Sequence, residues 1–366
     1  MTSHQTSEWY RAAVASAAVE AAERGLDGRG LWQLLGSRGL VAALAQDRGG
    51  VPEPSRLAAL LEELDARLSV GLVLSVCVQA ASVVPLLAEA AGDTGPDGLV
   101  DSAVRGDAVV AFAVTDAAAA GSDVMSAQTE VTGDPPVVTG VKQWITNGAD
   151  CDHFLVLVRR RPARHFTSFG WVVVPARADG VTVRPVGRQV FAAARLADVE
   201  FKAARAGGPG LVGPSGRGLA MFARHVATER LAGALWSRAL CRRVLADTRE
   251  WLTGRPSGAG VLWDSEAVRQ RYAACLVEYA RLDAMCRWAV SGDPQTPARA
   301  MALKAAAGEG ALRIVRECAD LRGADAFSDG GLAFVSMQTA MFAVAGGATG
   351  ALLTGLADHA DDLLRQ

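Results

Sequence analysis

The period of the apolar positions changes twice along the chain. Through the first hundred residues alanine and leucine recur at helical spacing, as in the run Arg56-Leu57-Ala58-Ala59-Leu60-Leu61-Glu62-Glu63-Leu64, with proline and glycine punctuation between Gly49 and Pro54. This predicts a helical domain over residues 1–106. From Asp107 to Phe201 the apolar residues gather in short runs, Val109 to Val114, Phe154 to Val158 and Trp171 to Val174, separated by Gly, Pro and Asp turns. That spacing predicts a small, mostly antiparallel β-domain over residues 107–206. Helical patterning returns after the loop from Gly207 to Gly218 and continues through 207–366.

Two local patterns invite readings that the surrounding residues exclude. Gly208, Gly210 and Gly213 satisfy a lone GxGxxG, but Pro209 and Pro214 flank it and no βαβ pattern surrounds it, so a hinge loop before a helix at Leu219 accounts for the glycines. From Gly330 to Ala357 no residue is charged, a length that suffices to cross a bilayer. Ser336, Gln338, Thr339, Thr349 and Thr354 dilute it and no basic anchor follows it, so burial in a helical domain or at a subunit interface is the expectation.

At 366 residues the chain is long enough for two or three cores. A formal charge of −2 gives no electrostatic case for nucleic acid. Lys142, Lys202 and Lys304 are the only lysines, so nearly all positive charge is arginine. The six cysteines form no CxxC and no signal peptide precedes them, which points to a reduced, cytoplasmic protein; the five histidines are too dispersed for a metal cluster.

Chemistry is concentrated between Phe112 and Gly148. A strand ending in Thr115-Asp116 leads to a small-residue turn carrying Gly121, Ser122 and Asp123, which offers backbone amides and hydroxyls to a planar, phosphate-bearing ligand. Trp144 and Thr146 lie two apart and on a strand would share a face, the indole against a ring and the hydroxyl toward one of its heteroatoms. Taken alone, that pair also suits an ordinary half-buried strand.

The order of these pieces resembles the acyl-CoA dehydrogenase flavoprotein family. Phe112-Ala-Val-Thr-Asp116, Gly121-Ser-Asp123 and Lys142-Gln-Trp-Ile-Thr-Asn-Gly148 carry the resemblance, and further matches follow in family order: Leu31 to Leu40 and Gly49-Gly50 upstream, Ala194 to Phe201, Ala227 to Leu235 and Leu321 to Phe327 downstream. The resemblance implies a mainly α fold with a β-barrel middle domain between an N-terminal helical domain and a C-terminal four-helix bundle. It implies FAD as cofactor, bound by Phe112, Val114, Thr115, Gly121, Ser122, Trp144 and Thr146, with Arg255, Gly323 and Thr349 adding contacts. Two departures bear on those last contacts: Arg255-Pro-Ser-Gly258 lacks the family's phenylalanine, and Asp320 stands where a glutamine is usual.

Most family members carry the catalytic base in a Glu-Gly-Thr motif near the carboxyl terminus. Here that position reads Gly347-Ala348-Thr349, preceded by Gly346 where an aromatic residue is usual. A minority place the base immediately before an arginine on another helix, which makes Glu229, before Arg230, the expected base and Arg230 and Ser122 the expected substrate contacts. By residue chemistry alone Glu229 also suits a surface carboxylate paired with an arginine. The altered pocket and the arginine bias resemble the dehydrogenases that act on acyl carrier protein thioesters to make hydroxymalonyl or methoxymalonyl polyketide extender units. The expected partners are then a short three-carbon acyl group on a carrier protein, docked by Arg224, Arg238, Arg242 and Arg243, an electron acceptor, and further copies of the chain in a homodimer or homotetramer. Two alternatives stay open: a flavin oxidase or monooxygenase on the same fold, and a non-catalytic scaffold subunit that has lost its base.

Overall fold

The computed structural model describes residues 3–45, 50–91, 98–119, 121, 123–186, 189–208, 210–291 and 296–364. They divide into two compact units, Met1–Glu229 and Arg230–Gln366.

The first unit begins with helices α1 (Ser3–Glu23), α2 (Gly28–Ser37), α3 (Leu40–Leu44) and α4 (Pro54–Asp65). Caps set their starts: the Asp27 carboxylate accepts the Gly30 N–H at 2.8 Å, and Glu53 accepts the N–H groups of Ser55 and Arg56 ahead of Pro54 at the first helical position of α4. A longer apolar helix follows in three parts, α5 (Val70–Val78), a π-helical turn (Gln79–Val83) and α6 (Val84–Ala91), before the short α7 (Leu99–Val104). Pro85 supplies a cause for the π turn: it has no N–H, and its ring would clash with the carbonyl of Ala81 in a regular helix. The helix widens instead, with the Val84 N–H bonded to Gln79 O, five residues back.

Eight strands complete the unit: β1 (Val110–Ala113), β2 (Glu130–Thr132), β3 (Val137–Ile145), β4 (His153–Arg159), β5 (Phe169–Pro175), β6 (Val181–Pro185), β7 (Ala197–Arg205) and β8 (Leu211–Val212). Their order is β6-β7-β3-β2-β4-β5-β8, with β1 parallel to β4 and most other pairs antiparallel. Along β4 the side chains alternate between two cores. Phe154, Val156 and Val158 join Ala111, Val131, Val138, Val172, Val199 and Phe201 in one, so that faces from six strands meet and the sheet must curl on itself as a barrel does. Leu155 and Leu157 join Val83, Leu86, Leu87, Trp171 and Met221 in the other, against the helices. Both faces of β4 and β5 are buried, which is why they read as unbroken apolar runs.

The glycine loop after β7 behaves as expected for a connector. Gly208, Gly210, Gly213 and Gly216 all have positive φ, and Leu211 and Val212 between them pair antiparallel with β5, so no nucleotide-binding βαβ unit is built there.

The long helix α8 (Gly218–Gly254) carries the chain from the first unit into the second. A two-stranded hairpin, β9 (Pro256–Ser257) and β10 (Gly260–Val261), separates it from α9 (Glu266–Ser291), followed by α10 (Pro297–Arg322), α11 (Leu332–Thr339), α12 (Met341–Val344), α13 (Thr349–Asp358) and α14 (Ala360–Leu364). The Tyr272 hydroxyl of α9 donates to Leu245 O of α8 at 3.0 Å, and Trp236 meets Phe342 edge-on at 5.0 Å. Gly308 lets α12 approach α10, since a Cβ there would stand 2.7 Å from Phe342 O.

The uncharged carboxy-terminal stretch departs from the expectation of internal burial. Leu332–Asp358 breaks into three short helices around Ala340 and the Gly346-Gly347 turn, and only 11% of its most apolar window is buried; Met337, Val344 and Leu353 are exposed. Short helices joined by glycine turns cannot keep one apolar stripe facing a single core.

Candidate active site

In the first unit the structure brings together the two motifs that flank residues 112–148. After β1, Asp116 forms an isolated bridge with Lys142: the Thr115 carbonyl accepts the Gln143 N–H at 2.9 Å, and the Ala117 N–H donates to Val141 O at 3.0 Å. Thr115 therefore lies beside the residue that precedes Trp144, and Gly121 is close enough that a Cβ on it would stand 3.5 Å from Thr115 Cγ2.

A buried ion pair locks this junction. Lys142 Nζ is fully buried, donates to Val114 O at 3.0 Å and lies 3.3 Å from Asp116 Oδ2. Burial pushes the Lys142 ammonium down to about 8 against the opposing pull of Asp116. For Asp116 burial acts to raise the carboxyl, but Lys142 and the donors Thr129 and Ala118 outweigh it and hold the group below the usual carboxylate range. The ladder of hydrogen bonds satisfies the pair, as a buried charge requires.

Trp144 and Thr146 do not share a strand face. The register of β3 against β7 shifts between Lys142 and Ile145, β3 ends at Ile145, and Thr146 lies in the turn beyond. Trp144 and Asn147 both have positive φ, 57° and 63°. The bulge turns the indole outward: the Trp144 residue is 62% exposed, while its backbone N–H donates to Asp198 Oδ1 at 3.1 Å. A large aromatic held on unfavourable backbone and left uncovered is a ligand-facing feature in physical terms.

The remaining calls in this motif fall in different surroundings. Phe112 is partly buried and stacks on Trp171 at 5.3 Å and on Phe222 at 6.4 Å at the margin of the helix-facing core. Val114 packs partly against that core, Thr115 and Thr146 are half-buried, and Gly121 is exposed. Ser122 lies outside the described residues.

Glu229 is half-buried on α8, where the Ser82 hydroxyl donates to its Oε2 at 3.2 Å. Cys77, fully buried on α5, is pushed up to about 12 by burial, with the charge of Glu229 adding to it. One turn earlier on α8, His225 Nε2 lies 2.7 Å from Glu89 Oε2, and Arg224 reaches Glu89 Oε1 at 3.1 Å. Burial holds His225 below the usual histidine range although Glu89 opposes it.

Sequence reasoning missed the residues that tie these pieces together. Ser75, Gln79 and Ser82 are buried on the helix from α5 to α6. The Ser75 hydroxyl donates to Asn147 Oδ1 at 2.6 Å, and Asn147 Nδ2 returns to Ser75 O at 3.1 Å. Gln79 exchanges hydrogen bonds with both backbone groups of Val110, and Ser82 reaches Glu229. Polar residues at i, i+4 and i+7 inside an otherwise apolar run are the signal that marks them.

In the second unit the expected Glu-Gly-Thr position is a glycine turn held by cations. Arg230 Nε donates to Gly346 O at 3.0 Å, and buried Lys304 Nζ donates to Ala343 O at 2.8 Å and to Gly347 O. Gly347 has φ 106°, and Thr349 opens α13 with its hydroxyl on Ala343 O at 3.1 Å. Arg230, placed by sequence at the substrate, thus spends its Nε on the turn. Arg255 and the Gly323 segment come together, Arg255 lying 3.3 Å from Asp325 and over the Trp251 ring, while Arg322 Nε is buried without a hydrogen-bond partner.

These donors suit a flavin dinucleotide. In the first unit the exposed indole beside Thr115 offers a face to a ring system; within the second unit, Arg255 and the buried Arg322 Nε are cations of the kind that pair with phosphates.

Comparison with known proteins agrees. The acyl-CoA dehydrogenase middle domain matches residues 111–204 and the acyl-CoA dehydrogenase C-terminal domain matches residues 216–360. An acyl-(acyl-carrier-protein) dehydrogenase, MbtN, from Mycobacterium sp. (strain MCS) is 29% identical over 280 residues, covering 76% of this chain and 70% of that protein. Among solved structures, an acyl-CoA dehydrogenase from Geobacillus kaustophilus shares the fold at a TM-score of 0.86 and 21% identity over 99% of both chains. PigA with FAD and proline does so at 0.85 and 18% identity, over 99% of this chain and 98% of that one. The chain belongs to the acyl-CoA dehydrogenase family of FAD-dependent enzymes acting on acyl thioesters.

Proposed function

We propose that the protein is a FAD-dependent dehydrogenase of a short, polar acyl group carried as a thioester on an acyl carrier protein, and that Glu229 is its base. The observation that carries this reading is the pairing of a half-buried Glu229, held by Ser82, with a glycine turn at Gly346-Gly347 where a carboxylate is absent. The carrier protein is supported by the name of the 29% identical relative, an acyl-carrier-protein dehydrogenase.

FAD, when bound, supplies the hydride acceptor. Trp144 and Thr115 would hold its ring, Thr146 and Gly121 would border it, and Arg255 would offer its guanidinium to the pyrophosphate of a neighbouring subunit's FAD. Glu229 accepts the proton that leaves with the hydride, which needs a carboxylate at a fixed position and partly out of water. Ser82, on the π turn between α5 and α6, donates to that carboxylate. By the resemblance of the sequence, the acyl group is a polar, three-carbon one of the kind used in hydroxymalonyl or methoxymalonyl extender units. An electron acceptor then takes the electrons.

The test is turnover with a matched pair of substrates, the same short acyl group on an acyl carrier protein and on coenzyme A. A kcat/KM at least about tenfold higher for the carrier-protein form supports carrier recognition; equal values remove it and leave an acyl-CoA dehydrogenase.

A further inference from the structure

We infer that Ser82 is a positioning residue for Glu229, presented by the π-helical turn Gln79–Val83; the inference rests on the reading of Glu229 as the base. A serine inside a helix ordinarily returns its hydroxyl to a carbonyl one turn back. Ser82 instead sends it to Glu229 Oε2 at 3.2 Å, across 147 positions of sequence, from a site only 2% exposed.

The π turn explains how the hydroxyl gets there. An extra residue in one turn rotates everything beyond it by roughly 100° relative to a regular helix. All five residues of the turn are buried, and its first residue, Gln79, is clamped to both backbone groups of Val110. One turn earlier Ser75 is clamped to Asn147, beside Thr146. The helix therefore holds the strand that leads to Val114-Thr115, the turn that follows Trp144, and the carboxylate of Glu229 on one rigid element. Gln79 and Ser75 satisfy the Val110 backbone and the Asn147 amide, which apolar residues would leave buried and unpaired, and with Ser82 they hold these segments and the base in one register.

A hydroxyl donating to a carboxylate favours the ionised form and one rotamer. Removal takes away that donor, which is expected to loosen the carboxylate and make it harder to ionise. Cys77 on α5 feels the charge of Glu229, and one turn earlier on α8 His225 and Arg224 share Glu89 of α6. Burial keeps Cys77 a thiol to about 12 and holds His225 below the usual histidine range, and the His225→Gln background separates the histidine's titration from that of the base.

The experiment compares pH profiles of kcat/KM for the FAD-loaded wild type, Ser82→Ala and Glu229→Gln, each also in a His225→Gln background. The expected result is no turnover for E229Q, and for S82A a kcat lowered about tenfold with KM little changed and an acid limb displaced to higher pH in both backgrounds. If E229Q is inactive while S82A coincides with wild type in rate and profile, Ser82 does not position the base. If E229Q turns over, the reading of Glu229 itself falls, and the Ser82 inference with it. Should S82A lose FAD or unfold, Ser82→Cys, nearly isosteric but a weak donor, carries the same expectation.

Discussion

Arg230 and Gly346 are joined by a 3.0 Å hydrogen bond from the guanidinium Nε to the carbonyl, and the next residue, Gly347, stands at φ 106°. The position at which most of the family carries its base is thus a conformation that suits glycine and disfavours side chains. A Cβ there would meet Leu352 Cδ2 at 3.1 Å and Arg230 Nη2 at 3.6 Å. Replacing Gly347 by glutamate is expected to cost about 1–2 kcal/mol of stability from backbone strain and to leave an E229Q enzyme inactive. Recovery of turnover in the double variant E229Q/G347E would show that the turn still accepts a base.

The buried pair Asp116–Lys142 makes a second expectation. Removing one partner strands the other charge in the interior, so Asp116→Asn and Lys142→Met are each expected to destabilise the fold by about 3–5 kcal/mol. The double variant should cost less than the sum of the two, because neither charge is then left alone. Denaturant midpoints for the four proteins measure this directly; additive losses would mean that the pair does not act as one unit.

How much of this was visible beforehand differs by element. The apolar runs Phe154 to Val158 and Trp171 to Val174 announced strands because both of their faces are buried. The order of Phe112 to Asp116 and Lys142 to Gly148 predicts that the two segments lie side by side, and the bridge between Asp116 and Lys142 joins them. The orientation of Trp144 and Thr146 was misread because a bulge inverts strand alternation without any glycine or proline at the spot to signal it. Ser75, Gln79 and Ser82 passed unnoticed because a helix of that hydropathy reads as plain core, and their partners Asn147, Val110 and Glu229 are distant in sequence. The stretch after Gly330 is apolar enough for a core, but its own turns keep it from forming one.

Trp144 supplies a test of the flavin face that does not depend on turnover. Because the residue is 62% exposed, Trp144→Ala is expected to change the stability of the flavin-free protein by no more than about 0.5 kcal/mol. The same change should weaken FAD binding about tenfold, the scale of one aromatic contact. Fluorescence titration with FAD reads the binding and thermal melting reads the stability; unchanged affinity would remove the indole from the cofactor site.

The histidines predict a dependence on acid. Burial holds His225 and His153 below the ordinary range, against the pull of Glu89 and Asp152 respectively, with Arg224 adding to the depression at His225. Their contribution is complete above the unfolded value of about 6.5, and between that value and the lower folded one the unfolded chain binds more protons. Stability should therefore fall as pH drops from 7.5 toward 5.5, and His225→Gln should flatten the slope. Melting temperatures across that range give the comparison; identical slopes would mean that His225 titrates alike in both states.

The central claim, that this chain draws hydride from an acyl thioester with Glu229 taking the proton, is tested most directly by flavin absorbance under anaerobic conditions. FAD-loaded wild type should bleach on addition of a short acyl group on its carrier protein, while E229Q, retaining the same flavin content, should stay yellow. Equal bleaching of E229Q, or no bleaching of wild type by carrier-protein and coenzyme A thioesters alike, would contradict it.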